Sequence, residues 1–366
     1  MTDPEVGRAR LVAQGLVTRP WAGPAEAVGA SMAMQGQDLP GAMASAALRT
    51  ARGGIDEVIA AMDAGAIVRG YPMRGTVFLM AAEDLLWTSQ LCNAGALRAA
   101  RKRRASLDLT DAMVEKAREI ALGVLPDHER GLPRAELFAL WEQAGTPTSS
   151  GRGYHVLAHL VGEGDLCYGP WNGTDQNVVT TTQWLPAGTS LEERFNGERL
   201  PAVAEMLGRY LASHGPATLR DFAWWTKLPL KEIRAAWGQV GDQFETGAWG
   251  EESPDARHWR PGLTAELADC GTEVDRPLLL PGFDEFILGY VDRLFAMTPE
   301  QHALLVPGNN GVFGRAVVSG GQVVGIWKRE GRAGKRSLSV KGFAELGVEL
   351  SEQLEAHFAR FPFATP

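Results

Sequence analysis

The sequence predicts an α+β protein in which short helices lead repeatedly into two-stranded hairpins, followed by a strand-rich C-terminal region. The clearest helix–hairpin unit covers residues 55–80. Its helix carries apolar residues at helical spacing, namely Ile55, Val58, Ile59 and Met62. Gly65 ends this helix, and residues 66–71 and 75–80 have the pattern of two strands joined by Pro72-Met73-Arg74.

Two further units repeat this order. The second begins at Gly131 and has a helix that ends at Gly162-Glu163-Gly164. Its predicted strands, residues 165–168 and 177–182, turn around Asn172-Gly173. The third unit is fainter and covers residues 218–226, 230–240 and 243–248. Helices followed by a hairpin wing form the winged-helix variant of helix-turn-helix, so tandem winged-helix domains are predicted and nucleic acid is the expected partner.

The region after Trp249 has a different pattern, with short apolar or alternating runs separated by glycine. These runs cover residues 278–283, 286–288, 316–318, 322–327 and 337–340. They predict a small antiparallel sheet or partial β-barrel. A final helix is predicted to carry Phe343, Leu346, Leu350, Leu354 and Phe358.

Domain boundaries follow from these elements. We expect three winged helices at residues 1–105, 106–190 and 191–250, and the barrel-like region at 251–366. The first domain is predicted to end in one long helix that begins at Ala82, and Thr110 is the expected N-cap of the next helix.

Composition places the chain among ordinary globular proteins. It has 366 residues, of which 45% are hydrophobic and 22% charged. Apolar runs stay short of the roughly 18 residues that a membrane span requires, and the acidic N-terminus has no signal-peptide pattern. The few scattered cysteines, Cys92, Cys167 and Cys270, favour a reducing compartment. We therefore expect a cytoplasmic protein without a membrane partner.

The net charge of −8 argues against binding of nucleic acid, but the distribution of the charges along the chain does not. Residues 251–300 hold eleven acidic side chains against four arginines, whereas residues 311–341 hold seven basic side chains against one acidic. Local potential governs docking, so the expected DNA-binding residues are those of two basic clusters. They are Arg98, Arg101, Lys102, Arg103 and Arg104, and Lys328, Arg329, Arg332, Lys335 and Arg336. A solvated helix end and a soluble hairpin are the alternative interpretation.

The sequence lacks the motifs of several common enzyme chemistries. His155 and His159 are four residues apart, and with Cys167 they supply too few ligands for a closed metal site. The sequence has no Gly-x-Ser-x-Gly, His-Glu-x-x-His or Cys-x-x-Cys motif. We therefore expect no metal and neither standard hydrolase nor redox chemistry.

The segment Gln35-Gly36-Gln37-Asp38 lies between an apolar stretch and a helix predicted to start near Leu39-Pro40. Asp38 suits the N-cap of that helix, because proline fits the first helical turn. Taken alone, the segment is most simply a polar loop whose carboxamides bond to nearby backbone.

Together with other motifs, however, this segment resembles the AlkZ/YcaQ family of winged-helix DNA glycosylases. The other motifs are Arg74-Gly75-Thr76-Val77-Phe78, Gly215-Pro216-Ala217-Thr218-x-x-Asp221-Phe222-x-x-Trp225, Leu280-Pro281-x-Phe283-Asp284-x-x-x-x-Gly289-Tyr290-x-Asp292-Arg293 and Val324-Gly325-x-Trp327-Lys328-Arg329. The resemblance implies tandem winged helices and a C-terminal β-barrel in a C shape around double-stranded DNA. It also implies monofunctional excision of alkylated purines, including interstrand crosslinks, without metal or cofactor. A monomer is expected, since duplex would fill the concave face.

The glutamine triplet resembles the AlkZ self-resistance branch more than the YcaQ branch, which has Gln-x-Asp. Two departures are Gly36, where relatives often carry an apolar or bulky residue, and Phe78, where many carry His. We expect hydrolysis of the N-glycosidic bond of cationic N7 or N3 adducts, with Gln37 positioning water and Gln35 supporting it. Asp38 is the alternative base. The competing hypotheses are a non-catalytic winged-helix regulator, a drug-binding protein and an interaction module with vestigial winged helices.

Overall fold

The computed structural model describes residues 2–249, 255–309, 311–332 and 335–364. Contacts divide the chain into two compact units. We name them by chain position: the terminal unit comprises residues 1–57 and 204–365, and the central unit comprises residues 58–203. The four domain boundaries expected from the sequence remain a prediction.

Helices supply most of the regular structure. The described α-helices are Pro4–Ala13, Pro24–Ala30, Leu39–Leu48, Ile55–Asp63, Ala82–Cys92, Ala94–Arg103, Asp111–Val124, Arg134–Gln143, Arg152–Glu163, Thr181–Trp184, Leu191–Phe195, Arg199–His214, Leu219–Thr226, Leu230–Val240, Leu263–Cys270, Glu285–Leu288, Pro299–Leu305 and Val348–Ala359. Short 3-10 turns are Arg104–Leu107, Leu125–Asp127, Gly241–Gln243, Gly271–Asp275 and Pro307–Asn309. Within the described part of the chain, no helix is both long enough and apolar enough to traverse a bilayer.

Both hairpins predicted for the central unit are present, and they lie in one antiparallel sheet. Its strands follow the order Thr76–Ala81, Ile67–Met73, Leu166–Trp171 and Gln176–Thr180. The predicted connection Pro72-Met73-Arg74 is wrong in part, because Pro72 and Met73 belong to the strand Ile67–Met73. The hairpin turns at Arg74 and Gly75, which both have positive φ, 58° and 67°. Positive φ at both central positions matches the twist of the flanking strands, so this turn sets the register of the hairpin.

The helices of the central unit and this sheet share one hydrophobic core. Trp141, Leu157, Leu160 and Val178 are fully buried there. Thr110 caps the helix Asp111–Val124 as predicted, accepting a hydrogen bond from the backbone N–H of Met113 at 3.2 Å.

The predicted long helix from Ala82 into the basic cluster is wrong, because the chain forms two helices, Ala82–Cys92 and Ala94–Arg103, on either side of Asn93. The Asn93 carboxamide donates to the carbonyl of Gly162 at 3.1 Å, which fixes the break against a neighbouring helix.

The terminal unit contains the predicted C-terminal antiparallel sheet. Its strands follow the order Ser337–Gly342, Gln322–Glu330, Arg315–Ser319 and Leu278–Leu279. Trp327, Val317, Leu354 and Phe358 form the core between this sheet and the last helix.

Two details of this region differ from the prediction. Residues 286–288 belong to a short helix, Glu285–Leu288, and not to a strand run. Asp284 causes this, because its carboxylate accepts from the backbone N–H of Phe286 at 2.9 Å and so starts a helical turn. The last helix begins at Val348, after Gly347 as its N-cap, so Phe343 and Leu346 precede it.

The third helix–hairpin unit also lies in the terminal unit. Thr218 and Asp221 form a capping box at the start of the helix Leu219–Thr226. The helix Leu230–Val240 follows within the predicted bounds. The strand Glu245–Gly247 then pairs antiparallel with Arg257–Trp259. The structure is thus α+β with antiparallel sheets.

Candidate active site

The two candidate glutamines are brought together by a tight loop in the terminal unit. Gln35 ends the short strand Met34–Gln35, and the helix Leu39–Leu48 follows. Gln35 is 4% exposed, whereas Gln37 is exposed to solvent. The Gln35 Nε2 donates to Gln37 Oε1 at 2.7 Å. A buried carboxamide therefore orients an exposed one.

Asp38 occupies the predicted N-cap position, but its carboxylate accepts no bond from the described N–H groups of the first helical turn. It lies over Gly41, where a Cβ atom would be only 2.8 Å from Asp38 Oδ2. Glycine at this position therefore leaves room for the carboxylate beside the glutamine loop. The Asp38 carboxylate is therefore not held against the helix by an N-cap hydrogen bond.

A buried carboxylate supports the backbone of the glutamine loop. Glu285 is 2% exposed, and its Oε1 accepts from the backbone N–H of Gln35 at 2.9 Å. Its Oε2 accepts from Trp225 Nε1 at 3.1 Å and lies 3.6 Å from His214 Nε2. Each oxygen of this carboxylate thus has a partner, as a buried charge requires. Glu285 therefore holds the backbone of Gln35 in place.

The segment that carries Glu285 is held by a buried ion pair. Arg49 donates to both oxygens of Asp284 at 2.9 Å, and Ser45 donates to Oδ2 at 2.5 Å. Burial alone raises the pKa of Asp284, but Arg49 and Ser45 outweigh burial and hold it below its usual range. Ser45 lies in the helix that follows the glutamine loop, so the pair ties that helix to Glu285.

Two buried tyrosines complete the support. Tyr290 accepts from Gln14 Nε2 at 3.0 Å and donates to the carbonyl of His214 at 2.8 Å. Tyr210 donates to the carbonyl of Gly289 at 2.7 Å. Burial raises the pKa of both phenols, so they stay neutral donors at physiological pH. The glutamine loop therefore rests on a packed, hydrogen-bonded base.

Sequence reasoning gave no role to Glu285, Trp225, His214 or Arg49. A signal was nevertheless present, because Asp284 and Glu285 are adjacent carboxylates within a mostly apolar run. Charges inside such a run must be paired if the run is buried. That reasoning could have marked both residues, but not their partners.

The C-terminal basic cluster lies on the hairpin of strands Gln322–Glu330 and Ser337–Gly342 and on the turn between them. Residues 333 and 334, in that turn, lie outside the described residues. Three of its five cations are exposed: Lys328, Arg332 and Lys335. The other two, Arg329 and Arg336, are half-buried, with guanidinium carbons 5.2 and 5.3 Å from the centre of the Phe363 ring.

Arg329 links this cluster electrostatically to the glutamine loop. Burial and the charges of Arg336 and Arg315 lower the pKa of Arg329, and the negative charge of Asp38 opposes that shift. The charge of Asp38 is thus one of those that act on Arg329.

The basic cluster of the central unit is partly neutralised by the fold. Arg101 forms an ion pair with Glu163 at 2.6 Å, and the largely buried Arg104 pairs with Asp111. In the sequence, the nearest acidic residue to this cluster is Asp108. The two partners seen in the structure, Glu163 and Asp111, belong to other helices. The remaining cations, Arg98, Lys102 and Arg103, are exposed.

The described residues do not form a metal-binding cluster. Over the described residues, no group of three His, Cys, Asp or Glu side chains could hold a metal ion. Cys167 is buried, and burial raises the pKa of its thiol, so it is a core residue and not a thiolate ligand.

Sequence and structure comparisons identify the class of protein. A model of the family described as "DNA glycosylase AlkZ-like" matches residues 28–362, and the chain belongs to this family. It is a DNA glycosylase, a hydrolase of N-glycosyl bonds that acts in DNA repair. The chain is 26% identical over 368 residues to the interstrand DNA cross-link repair glycosylase of Streptomyces sahachiroi, covering 96% of this chain and 94% of that protein. The solved structure of Streptomyces sahachiroi DNA glycosylase AlkZ superposes with a TM-score of 0.77 at 25% identity, covering 99% of this chain and 97% of that chain.

Proposed function

We propose that this glycosylase hydrolyses the N-glycosidic bond of cationic alkylated purines, N7 or N3 adducts, in double-stranded DNA. The observation that carries the proposal is the bonded pair of Gln35 and Gln37, one buried and one open to solvent. The relative's name concerns interstrand crosslink repair. We extend this to the present chain as unhooking of such crosslinks, in self-resistance to a DNA-alkylating natural product.

Neutral carboxamides suit a leaving group that already carries positive charge. An alkylated purine departs as a neutral base, so the site needs no strong general acid. An unmodified purine would leave as an anion and require protonation, which a glutamine cannot supply. The remaining task is to place water and to stabilise a sugar that becomes positively charged. Oriented amide dipoles do this, contributing about 2–4 kcal/mol when preorganised.

The two glutamines divide this task. Gln37 is exposed and can accept a hydrogen bond from the attacking water, which it thereby positions. Gln35 is buried, bonded to Gln37 and anchored through its backbone to Glu285, so it supports the orientation of Gln37. Asp38 is the alternative base, since its carboxylate is not used in capping.

DNA binding is proposed through the helix–hairpin units, as tandem winged helices at residues 1–105, 106–190 and 191–250, and a barrel-like region at 251–366. A monomer would bind the duplex. Ten cations are the proposed phosphate contacts: Arg98, Arg101, Lys102, Arg103, Arg104, Lys328, Arg329, Arg332, Lys335 and Arg336. Among them, the exposed side chains are the stronger candidates, because Arg104 is buried and paired with Asp111.

Replacing Gln37 tests the catalytic assignment. In single-turnover excision of 7-methylguanine from duplex DNA, Gln37→Ala should lower the rate by about 30- to 1,000-fold, the equivalent of 2–4 kcal/mol. Gln243→Ala, which removes another exposed glutamine of the terminal unit, is the matched control and should keep the wild-type rate. A wild-type rate for Gln37→Ala would refute the assignment.

The same assay separates the enzyme from a non-catalytic binder. Alkylated duplex is incubated with wild-type protein and heated in alkali, which cleaves the strand wherever a purine has been removed. Cleavage at alkylated purines supports the proposal. Affinity for this DNA without any abasic product would instead favour a DNA-binding regulator or a drug-binding protein.

A further inference from the structure

An open cleft of about 570 Å³ lies in the central unit. It is bordered by the hairpin turn at Arg74 and Gly75, by the helix Ala94–Arg103 and by the first turns of the helix Arg152–Glu163. All of its lining residues fall between positions 71 and 159, and the two glutamines belong to the other unit. The catalytic assignment therefore does not use this cleft.

Two arginines give the cleft a positive charge. Arg103 is exposed, and Arg74 projects from the hairpin turn with its guanidinium carbon 5.0 Å from the centre of the Phe78 ring. No carboxylate of the described residues lines the cleft. A phosphate is the anion that such guanidinium groups bind best in a DNA-binding protein.

An aromatic ring stands at the same cleft. Tyr154 is 53% exposed, although its ring centre lies 5.5 Å from that of Phe138 and 4.7 Å from the Arg134 guanidinium carbon. An exposed tyrosine beside cations is the arrangement on which single-stranded nucleic acids stack their bases.

Polar atoms of the cleft wall lack hydrogen-bond partners among the described residues. They are Asn93 Oδ1, His155 Nε2 and His159 Nδ1, all shielded from bulk solvent. Buried polar atoms normally have partners, so three unsatisfied atoms in one wall point to a ligand that brings N–H donors.

The two histidines are neutral at physiological pH. Burial lowers the pKa of His159 to about 4, against the opposing charge of Glu163, and burial with the charges of Arg103 and Arg104 lowers that of His155. The Glu163 carboxylate, 3.3 Å from His159 Nε2, favours the proton on that nitrogen. His159 Nδ1 is then an acceptor, suited to an amino group of a nucleobase.

We propose that this cleft binds one unpaired nucleotide of the DNA. Arg74 and Arg103 take its phosphate, and the ring of Tyr154 stacks on its base. The amide of Asn93 and the imidazole of His159 accept from the N–H groups of that base after a small side-chain adjustment. This inference rests on the proposed DNA binding of the central unit and is independent of the catalytic glutamines.

Undamaged DNA provides the test. Fluorescence anisotropy compares a fully paired duplex with the same duplex carrying one unpaired nucleotide, at one salt concentration. Wild-type protein should bind the bulged duplex about tenfold more tightly, because stacking adds to phosphate contacts. Tyr154→Ala should abolish this preference, and Tyr154→Phe should retain it. Arg103→Ala should weaken binding of both probes and reduce the salt slope by about one.

Control measurements keep the result decisive. Leu122→Ala removes an exposed apolar side chain elsewhere in the same unit and should leave the preference intact. Gln37→Ala should also leave it intact, so a failure of the catalytic proposal would not affect this readout. Equal wild-type affinity for the two duplexes would overturn the inference. A preference that persists in folded Tyr154→Ala protein would do the same.

Discussion

The two units differ in how far the buried polar groups near their proposed sites have hydrogen-bond partners. In the terminal unit, Arg49 pairs with Asp284, and both oxygens of Glu285 accept hydrogen bonds beneath the glutamine loop, although His214 Nε2, 3.6 Å from Glu285, has no hydrogen-bond partner among the described residues. In the central unit, Asn93 and His159 keep one acceptor each without a partner among the described residues, at the wall of an open cleft.

This difference separates two kinds of site. Because the buried carboxylates beneath the glutamine loop all have partners, they allow little adjustment, which suits groups that must hold a water and a sugar in one geometry. Unsatisfied acceptors beside exposed cations suit a surface that completes its bonding when a ligand arrives. The proposed base excision thus depends on the hydrogen-bonded network beneath the glutamine loop. The proposed binding of an unpaired nucleotide depends on the cleft whose acceptors lack partners among the described residues.

The largest effect is expected from breaking the network at Arg49. Arg49→Met leaves the Asp284 carboxylate buried without its cation, which should destabilise the terminal unit by about 3–5 kcal/mol. Hydrogen exchange read by mass spectrometry resolves the two units. Peptides from the terminal unit should lose protection while those from the central unit keep theirs.

A surface pair provides the control for Arg49. Arg130 and Asp63 are 2.7 Å apart and largely exposed in the central unit, so Arg130→Met should change stability by about 1 kcal/mol at most. Similar effects for the two variants would mean that the terminal network is not the rigid element described here.

A smaller effect, on rate and not on stability, is expected at Glu285. Glu285→Gln preserves shape but has one acceptor oxygen, so either Gln35 N–H or Trp225 Nε1 loses its partner. Misplacement of the loop should lower single-turnover excision by about 10- to 100-fold with DNA affinity unchanged. The control, Glu266→Gln, alters a partly exposed pair with Arg260 and should be silent. Equal losses of affinity and rate would indicate a structural role only.

The smallest effects concern the basic cluster of each unit. Replacing Arg332, Lys335 and Arg336 by alanine should reduce the slope of log affinity against log salt by about three, one for each phosphate contact. The corresponding triple variant of Arg98, Lys102 and Arg103 should do likewise. An unchanged slope for either variant would remove that cluster from the DNA-binding surface. Arg101→Ala should have less effect, because Glu163 already neutralises Arg101.

Local signals explain what the sequence could predict. The hairpin of residues 66–80, the Thr110 cap and the alternation in residues 322–327 each depend on a few neighbouring residues, and the structure confirms all three, although the hairpin turns at Arg74-Gly75 and not at Pro72-Met73-Arg74. The glutamine loop was found through a motif, and the pairing of its two carboxamides fits their spacing. Its catalytic role stays a prediction.

The supporting partners could not be predicted, because they lie far apart in the sequence. Glu285 reaches Gln35 across 250 positions, and Asn93 reaches Gly162 across 69. A single sequence does not reveal such pairs. The second of them also fixes the break between the two helices, which Asn93 and Gly95 favour locally.

The link between Gln35 and Glu285 also bears on the order in which the protein is made. A ribosome releases the glutamines early, but the carboxylate that anchors them emerges only after more than three quarters of the chain has been translated. Until then the N-terminal segment lacks the other half of its own unit. A nascent or prematurely terminated polypeptide therefore lacks the anchored glutamine loop on which the proposed excision of bases depends.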